Sequence, residues 1–229
     1  MAQTKLQLVN RILRRLREDE ATTTADTSYT KLIVDFINEA KREVEDEWDW
    51  LNQRSTIIVT TVADTFRYSL TGSGDRARLL VDMNKGYPWM DIFDTTSDVQ
   101  LRQAPSAAWM TRRKLNNSAT TGKPTFVDIP GTDGTDLYLD IEPTPNGVFA
   151  VHVQMSLPQD DFGQTSADDG TTLTVPDYPV FLRALELARD ERGEDVNQLH
   201  DQYTQALFDA ITMEKDVVQA GMKEMVVVG

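Results

Sequence analysis

Residues 28–62 read SYTKLIVDFINEAKREVEDEWDWLNQRSTIIVTTV, and the pattern changes period partway through. Tyr29, Leu32, Ile33, Phe36, Ile37, Ala40, Val44 and Trp48 recur at helical spacing, so Ser28–Leu51 reads as an amphipathic helix. Asp26, Thr27 or Ser28 offers the oxygen that caps its first turn. From Ser55 to Val62 the residues are β-branched almost throughout, which suits a strand. A helix that runs directly into a strand, with helices and strands segregated along the chain, predicts an α+β fold.

Upstream, Leu6, Val9, Leu13 and Leu16, with Ile12 beside them, place a helix over Thr4–Arg17. Downstream, Phe66, Tyr68 and Leu70 alternate, 79–81 is a short apolar run, and 126–129, 137–141 and 148–155 read as strands. Gly131-Thr132-Asp133-Gly134 and Pro145-Asn146-Gly147 predict hairpin turns between them. Within 94–121 a short helix is predicted near Ser97–Arg102, then a Ser/Thr/Asn-rich loop. Helical period returns after Pro176. Asp177 is the predicted N-cap, Val180, Phe181, Ala184, Leu185 and Ala188 form one face, and Gly193 is the stop. A last helix is predicted over Asp195–Gln219, with Val196, Leu199, Tyr203, Ala206, Leu207, Ala210, Met213 and Val217 as its stripe and Gly221 at its end. Each helix has one apolar face to cover. The order therefore predicts a four-helix bundle built from the first half (1–54) and the second half with its tail (176–229), with a mainly antiparallel β lobe inserted at 55–175.

Composition narrows the chemistry. The 229 residues include no cysteine, which excludes disulfides and thiolate chemistry. His152 and His200 are too few for a three-histidine zinc site, and His200 does not face its neighbour Asp201 on a helix. No nucleotide-binding, zinc-protease or serine-hydrolase motif occurs. Asp168-Asp169-Gly170 and Asp133-Gly134 lack the spacing of a calcium loop and read as turns. No catalytic set, metal or cofactor is expected. No apolar run reaches the roughly 20 residues of a membrane span, and Met1–Asn10 does not read as a signal peptide, so synthesis in the cytoplasm without membrane contact is expected. The net charge of −14 disfavours tight, sequence-independent binding of nucleic acid.

Several faces remain. Residues 1–17 hold five bases and no acid, and helical steps place Arg11, Arg14 and Arg15 opposite the apolar stripe. This face is either solvated or a dock for an acidic partner. Asp35, Glu39, Glu43 and Glu47 form an i, i+4 acidic stripe, either solvated and locally paired or turned toward a neighbouring copy. Residues 124–175 hold nine acids and no base, and Asp160, Asp161, Asp168 and Asp169 in it are candidates for channel-lining or loop-tip positions. Phe208 lies off the main stripe of the last helix, an exposed aromatic or an anchor in an assembly. The tail Met225-Val226-Val227-Val228 is apolar, either a frayed end or a segment that docks on a partner.

The chain also resembles a known family. Trp48-Asp49-Trp50-Leu51 ends a helix that passes directly into a strand, and Phe66-Arg67-Tyr68-Ser69-Leu70 is similar to an aromatic-x-leucine strand. Gly122-Lys123-Pro124-Thr125-Phe126, Leu137-Tyr138-Leu139 with Pro143-Thr144-Pro145, and Thr174-Val175-Pro176-Asp177-Tyr178 follow in order. In this frame the sequence resembles the head–tail adaptor (connector) proteins of tailed bacteriophages, including gatekeeper-type tail tubular proteins. It departs at Thr71, where a proline often stands.

The resemblance implies a ring-forming structural protein of the virion, usually dodecameric, present in the host cytoplasm during assembly. It implies that the helical part meets the portal protein and the β part meets the next tail component (nozzle, stopper or tail tube). DNA passes through the lumen as non-specific cargo, and no enzymatic role is implied. A different class of reading is a virion carbohydrate-binding module using Trp89 or Trp109, and a third is a hydrolase with paired carboxylates.

Overall fold

Helices α1 (Lys5–Arg15) and α2 (Ser28–Glu47) both start on a threonine capping box. Thr4 Oγ1 accepts from the Gln7 N–H at 3.3 Å, and Thr27 Oγ1 accepts from the Thr30 N–H at 3.0 Å. Thr27 is thus the cap of α2. Asp26 instead accepts four hydrogen bonds from Thr22 and Thr23, which hold its carboxyl down at about 2. The second helix ends at Glu47, not Leu51, because the chain turns extended at Trp48 and Trp50 folds back, its Nε1–H donating to the Val44 carbonyl at 2.8 Å.

The computed structural model describes residues 3–74, 76–82, 89–90, 92–115 and 120–224 of an α+β chain. It has two units, Met1–Asn52 with Pro158–Gly229, and Gln53–Leu157. The first unit adds α4 (Asp177–Glu191) and α5 (Asn197–Glu224) to α1 and α2. Leu8, Val9, Ile12, Ile33, Ile37, Val44, Val180, Phe181, Leu185 and Tyr203 are among the side chains of their common core. Gly193, at φ +71°, takes the left-handed position that ends α4. Asp177 is the first residue of α4 rather than its cap, and α5 continues through Gly221 to Glu224.

The return to this unit comes at Pro158, well before the expected 176. Segment 158–175 is a strap on α1 and α2, held by two fully buried lysines. Lys41 Nζ donates to the carbonyls of Gln159 (2.7 Å) and Asp160 (2.6 Å), and Lys5 Nζ to those of Gly163 (3.1 Å) and Thr165 (2.8 Å). Asn38 exchanges two hydrogen bonds with the Phe162 backbone, and buried Glu45 accepts from the Gln159 N–H. An ammonium out of water is tolerable only when ringed by acceptors, and the strap's carbonyls are that ring.

The second unit contains β1 (Arg54–Thr60), β2 (Arg67–Ser69), β3 (Arg78–Leu79), β4 (Val81–Asp82), β5 (Trp89–Met90), β6 (Ile92–Asp94), β7 (Val99–Gln100) and β8 (Arg102–Gln103). Helix α3 (Ala107–Leu115) is followed by β9 (Thr121–Gly122), β10 (Phe126–Asp128), β11 (Tyr138–Glu142), β12 (Thr144–Pro145) and β13 (Ala150–Ser156). One sheet runs β1-β13-β6-β7 with β3 also on β13, and a second runs β2-β11-β10-β8. The β8–β10 and β9–β12 pairs are parallel, and the other described pairs are antiparallel. Val59, Val151, Val153 and Met155 of the first sheet share a core with Leu139, Ile141 and Val127 of the second.

Three local expectations fail here. The helix predicted at Ser97–Arg102 is β7 and β8, because β6 and β10 pair with them. The predicted loop after it contains α3, whose Trp109 N–H donates to Ser106 Oγ at 3.1 Å and whose Met110 is buried. Pro145-Asn146-Gly147 closes no hairpin, since β11 and β13 belong to different sheets and the turn carries the chain between them.

Candidate interaction surfaces

The arginines of α1 do not form one outward face. The buried stripe of α1 includes Lys5 and Leu8, with Leu6 only at its margin, so Arg11 lies on the flank. Its guanidinium packs 3.8 Å from the Phe181 ring centre and 5.6 Å from that of Tyr178, and donates to Gln3 Oε1 at 2.8 Å. The expectation that Arg11 points away from its own helices is therefore corrected. Arg14 is exposed and pairs with exposed Glu20 at 2.8 Å. Arg15 is exposed on the rim of a groove that Leu182, Leu185 and Leu199 also line.

The acidic stripe of α2 is divided. Glu43 takes a two-pronged bond from Arg183 (2.7 and 2.9 Å), which raises the pKa of that guanidinium despite its partial burial. Burial pushes the neighbouring Tyr203 hydroxyl up to about 12, with Glu43 adding to the effect. Asp35 accepts from the Gln164 amide at 2.8 and 2.9 Å. Glu39 and Glu47 are exposed.

The four aspartates of the strap are mostly engaged within their own unit. Asp161 pairs with Arg42 and lies 3.6 Å from Lys41 Nζ. Asp168 Oδ2 accepts from the Gly163 N–H at 2.9 Å. Asp169 accepts from Thr24 Oγ1 at 2.6 Å and pairs with Lys5 at 3.2 Å. Burial pushes the Asp169 carboxyl up, but the bonds from Thr24 and Lys5 outweigh it and leave the group below its ordinary value. Asp160 and Asp161 are exposed, and the contact of Asp160 with Lys41 is through its carbonyl.

On α5, Phe208 (65 %), Met213 (71 %) and Val217 (61 %) are exposed. Met213 and Val217 are expected in the core from their spacing, but among the described side chains of α5 the packing on the core ends at Ala210 and Ile211, and the apolar period runs on beyond them. Met225, Val226, Val227 and Val228 lie outside the described residues. So does the side chain of Trp89, while Trp109 is half-buried edge-on against Phe126 at 5.2 Å with Arg113 beside it.

Lys5 and Lys41 are what residue patterns missed. A signal was present: Lys5 precedes Val9 and Ile12, and Lys41 follows Ile37, at the spacing of the apolar stripes themselves. Glu186, which accepts from Arg183 and lies 3.1 Å from His200 Nδ1, was also missed, since nothing local pairs positions fourteen apart. Among the described residues no group of three or more His, Cys, Asp or Glu can hold a metal ion, and no helix is long and apolar enough to cross a membrane. Compared with protein families, residues 3–226 match the family described as SU10 adaptor protein. Among curated proteins there is no match.

Proposed function

The chain belongs to the SU10 adaptor family, which makes it a structural adaptor component of a phage virion, and from this we propose that it is the ring between head and tail. Copies close into a ring that docks under the portal protein, joins it to the next tail component and lets DNA pass through its lumen. The observation that carries this reading is the family match, which runs through both units almost from end to end. Met213 and Val217, exposed one turn apart on α5, support it, because adjoining apolar side chains in water mark contact surfaces, and Phe208 is exposed on another side of the same helix. Arg14, Arg15 and the Met225–Val228 tail are further candidates for the portal-facing surface, and Asp160 for a channel-facing position.

The test is assembly. The purified chain, mixed with its portal protein, co-sediments with it on a gradient and shows a ring by electron microscopy. A chain that stays monomeric and ignores its portal overturns the reading.

A further inference from the structure

Charge is divided unequally between the two units. Of the 37 acids, 26 lie in the helical unit and 11 in the β unit, whereas the 23 bases split 13 and 10. Nearly all the net negative charge therefore belongs to the helical unit.

Within the β unit three cations stand exposed on adjoining elements: Arg102 on β8, Arg112 on α3 and Lys123 just before β10. Their elements adjoin at β10 and the residues just before it. Arg102 sits opposite Phe126 in the β8–β10 pair, and its N–H donates to the Thr125 carbonyl at 2.9 Å. Lys123 is two residues before Thr125, and Trp109 of α3 packs edge-on against the Phe126 ring. Arg113 is neutralised, since its Nε donates to buried Glu142 at 2.7 Å. Arg102, Arg112 and Lys123 have no acidic partner among the described residues. They stand on a unit that is close to neutral, with 10 bases against 11 acids, while the rest of the chain is strongly acidic.

The complementary surface is on the same chain. Glu39 and Glu47 are exposed on α2 without an ionic partner among the described residues, and Asp35 is met only by an amide. Glu39 and Glu47 are eight residues apart, about 12 Å along the helix. We propose that the Arg102–Arg112–Lys123 patch of one copy docks on the α2 acidic ridge of the next. This deepens the ring reading and rests on it: a contact between two different surfaces is heterologous, and such contacts generate rings when the rotation closes. The occupant is a second copy, because its α2 ridge offers carboxylates at fixed positions to a fixed set of cations, and beyond about 8 Å, one Debye length at physiological salt, the mutual repulsion of two net-negative chains is screened. Exposed ion pairs are individually weak, so the contact works as a set repeated around the ring.

Charge reversal on the full chain tests this by sedimentation velocity. Arg112→Glu and Glu39→Lys each weaken association between copies about tenfold, and the two together restore it to within about threefold. Both residues are exposed, so circular dichroism melts stay as in the wild type. The absence of native cysteine allows a second readout: Arg112→Cys mixed with Glu39→Cys forms disulfide-linked dimers under mild oxidant. Assembly that neither reversal weakens, with no cross-link, overturns this contact and leaves the ring standing. A chain monomeric both alone and with its portal overturns both. Duplex DNA binding that Arg112→Glu abolishes while assembly is unchanged assigns the patch to a phosphate backbone instead.

Discussion

The helical unit and the β unit reach a buried core by opposite routes. In the helical unit, α1 and α2 each present a core face through local period, and then two lysines bind a strap far along the chain: Lys41 to Gln159 spans 118 positions and Lys5 to Gly163 spans 158. In the β unit the main pairing is itself long-range, with Arg54 opposite Ser156 and Thr60 opposite Ala150. Of its described buried carboxylates, Asp140 and Glu142 are matched by Arg67 and Arg113 at the rim, and Asp94 accepts from the Thr96 N–H at 3.0 Å. The helical unit thus depends on a few polar anchors inside its core, and the β unit on many strand contacts made at once.

The sharpest way to break this comparison is Lys41→Met. The carbonyls of Gln159 and Asp160 then lose their donor, and the unit loses about 3–5 kcal/mol, as when one partner of a buried ionic contact is removed. The denaturant midpoint followed at 222 nm falls accordingly, and hydrogen exchange accelerates in 158–175. An unchanged midpoint shows that the strap holds without its lysine.

Leu139→Ala makes the reciprocal cut. Leu139 is fully buried between the sheets, and the substitution costs the β unit about 3 kcal/mol. Faster exchange confined to β1, β11 and β13 confirms separate units. Acceleration in α2 and α4 to the same degree shows that the two unfold as one.

Smaller effects sharpen the helical side. Thr27→Ala removes the α2 cap and lowers stability by about 1 kcal/mol, read as a shifted midpoint, while Thr27→Ser stays near wild type. The loop before it gives a pH signature. The Asp26 carboxyl is held at about 2 against an ordinary 3.8, so it binds protons more weakly folded than unfolded. Its contribution is complete above about 4 and is lost as pH falls toward about 2. Asp26→Asn flattens that part of the stability–pH curve; an unaltered curve shows that Thr22 and Thr23 hold the loop without the charge.

What was legible in the sequence followed from periodicity. Thr27, Ile33, Ile37 and Val44 define α2 by their own spacing, and Val151, Val153 and Met155 define β13 by theirs. The order of motifs from Trp48 to Tyr178 carried the family as well, since those residues stand at element boundaries where turn chemistry restricts the choice. Less was legible of the surfaces. A helical wheel places Arg11 outside, but a long side chain can lie back across a neighbouring aromatic, and only the position of Phe181 decides that it does.

The sequence by itself determined that two helices precede a β region and two follow, that residues 124–175 hold acids and no base, and that there is no thiol and no cluster of histidines. Local period and composition suffice for these, because each helix or strand must match its own pattern of burial. Tertiary structure alone decided the rest. Residues 158–175 carry no period, so it is tertiary contacts that assign the segment to the helices: Lys5 and Lys41 with their need for acceptors out of water, and Phe162, Leu173 and Val175 buried in the helical core. Segment 99–103 became strand because β6 and β10 needed partners there. Arg102, Arg112 and Lys123 lie up to 21 positions apart with nothing in their spacing to unite them, and only the β8–β10 pairing and the packing of Trp109 on Phe126 make their elements neighbours.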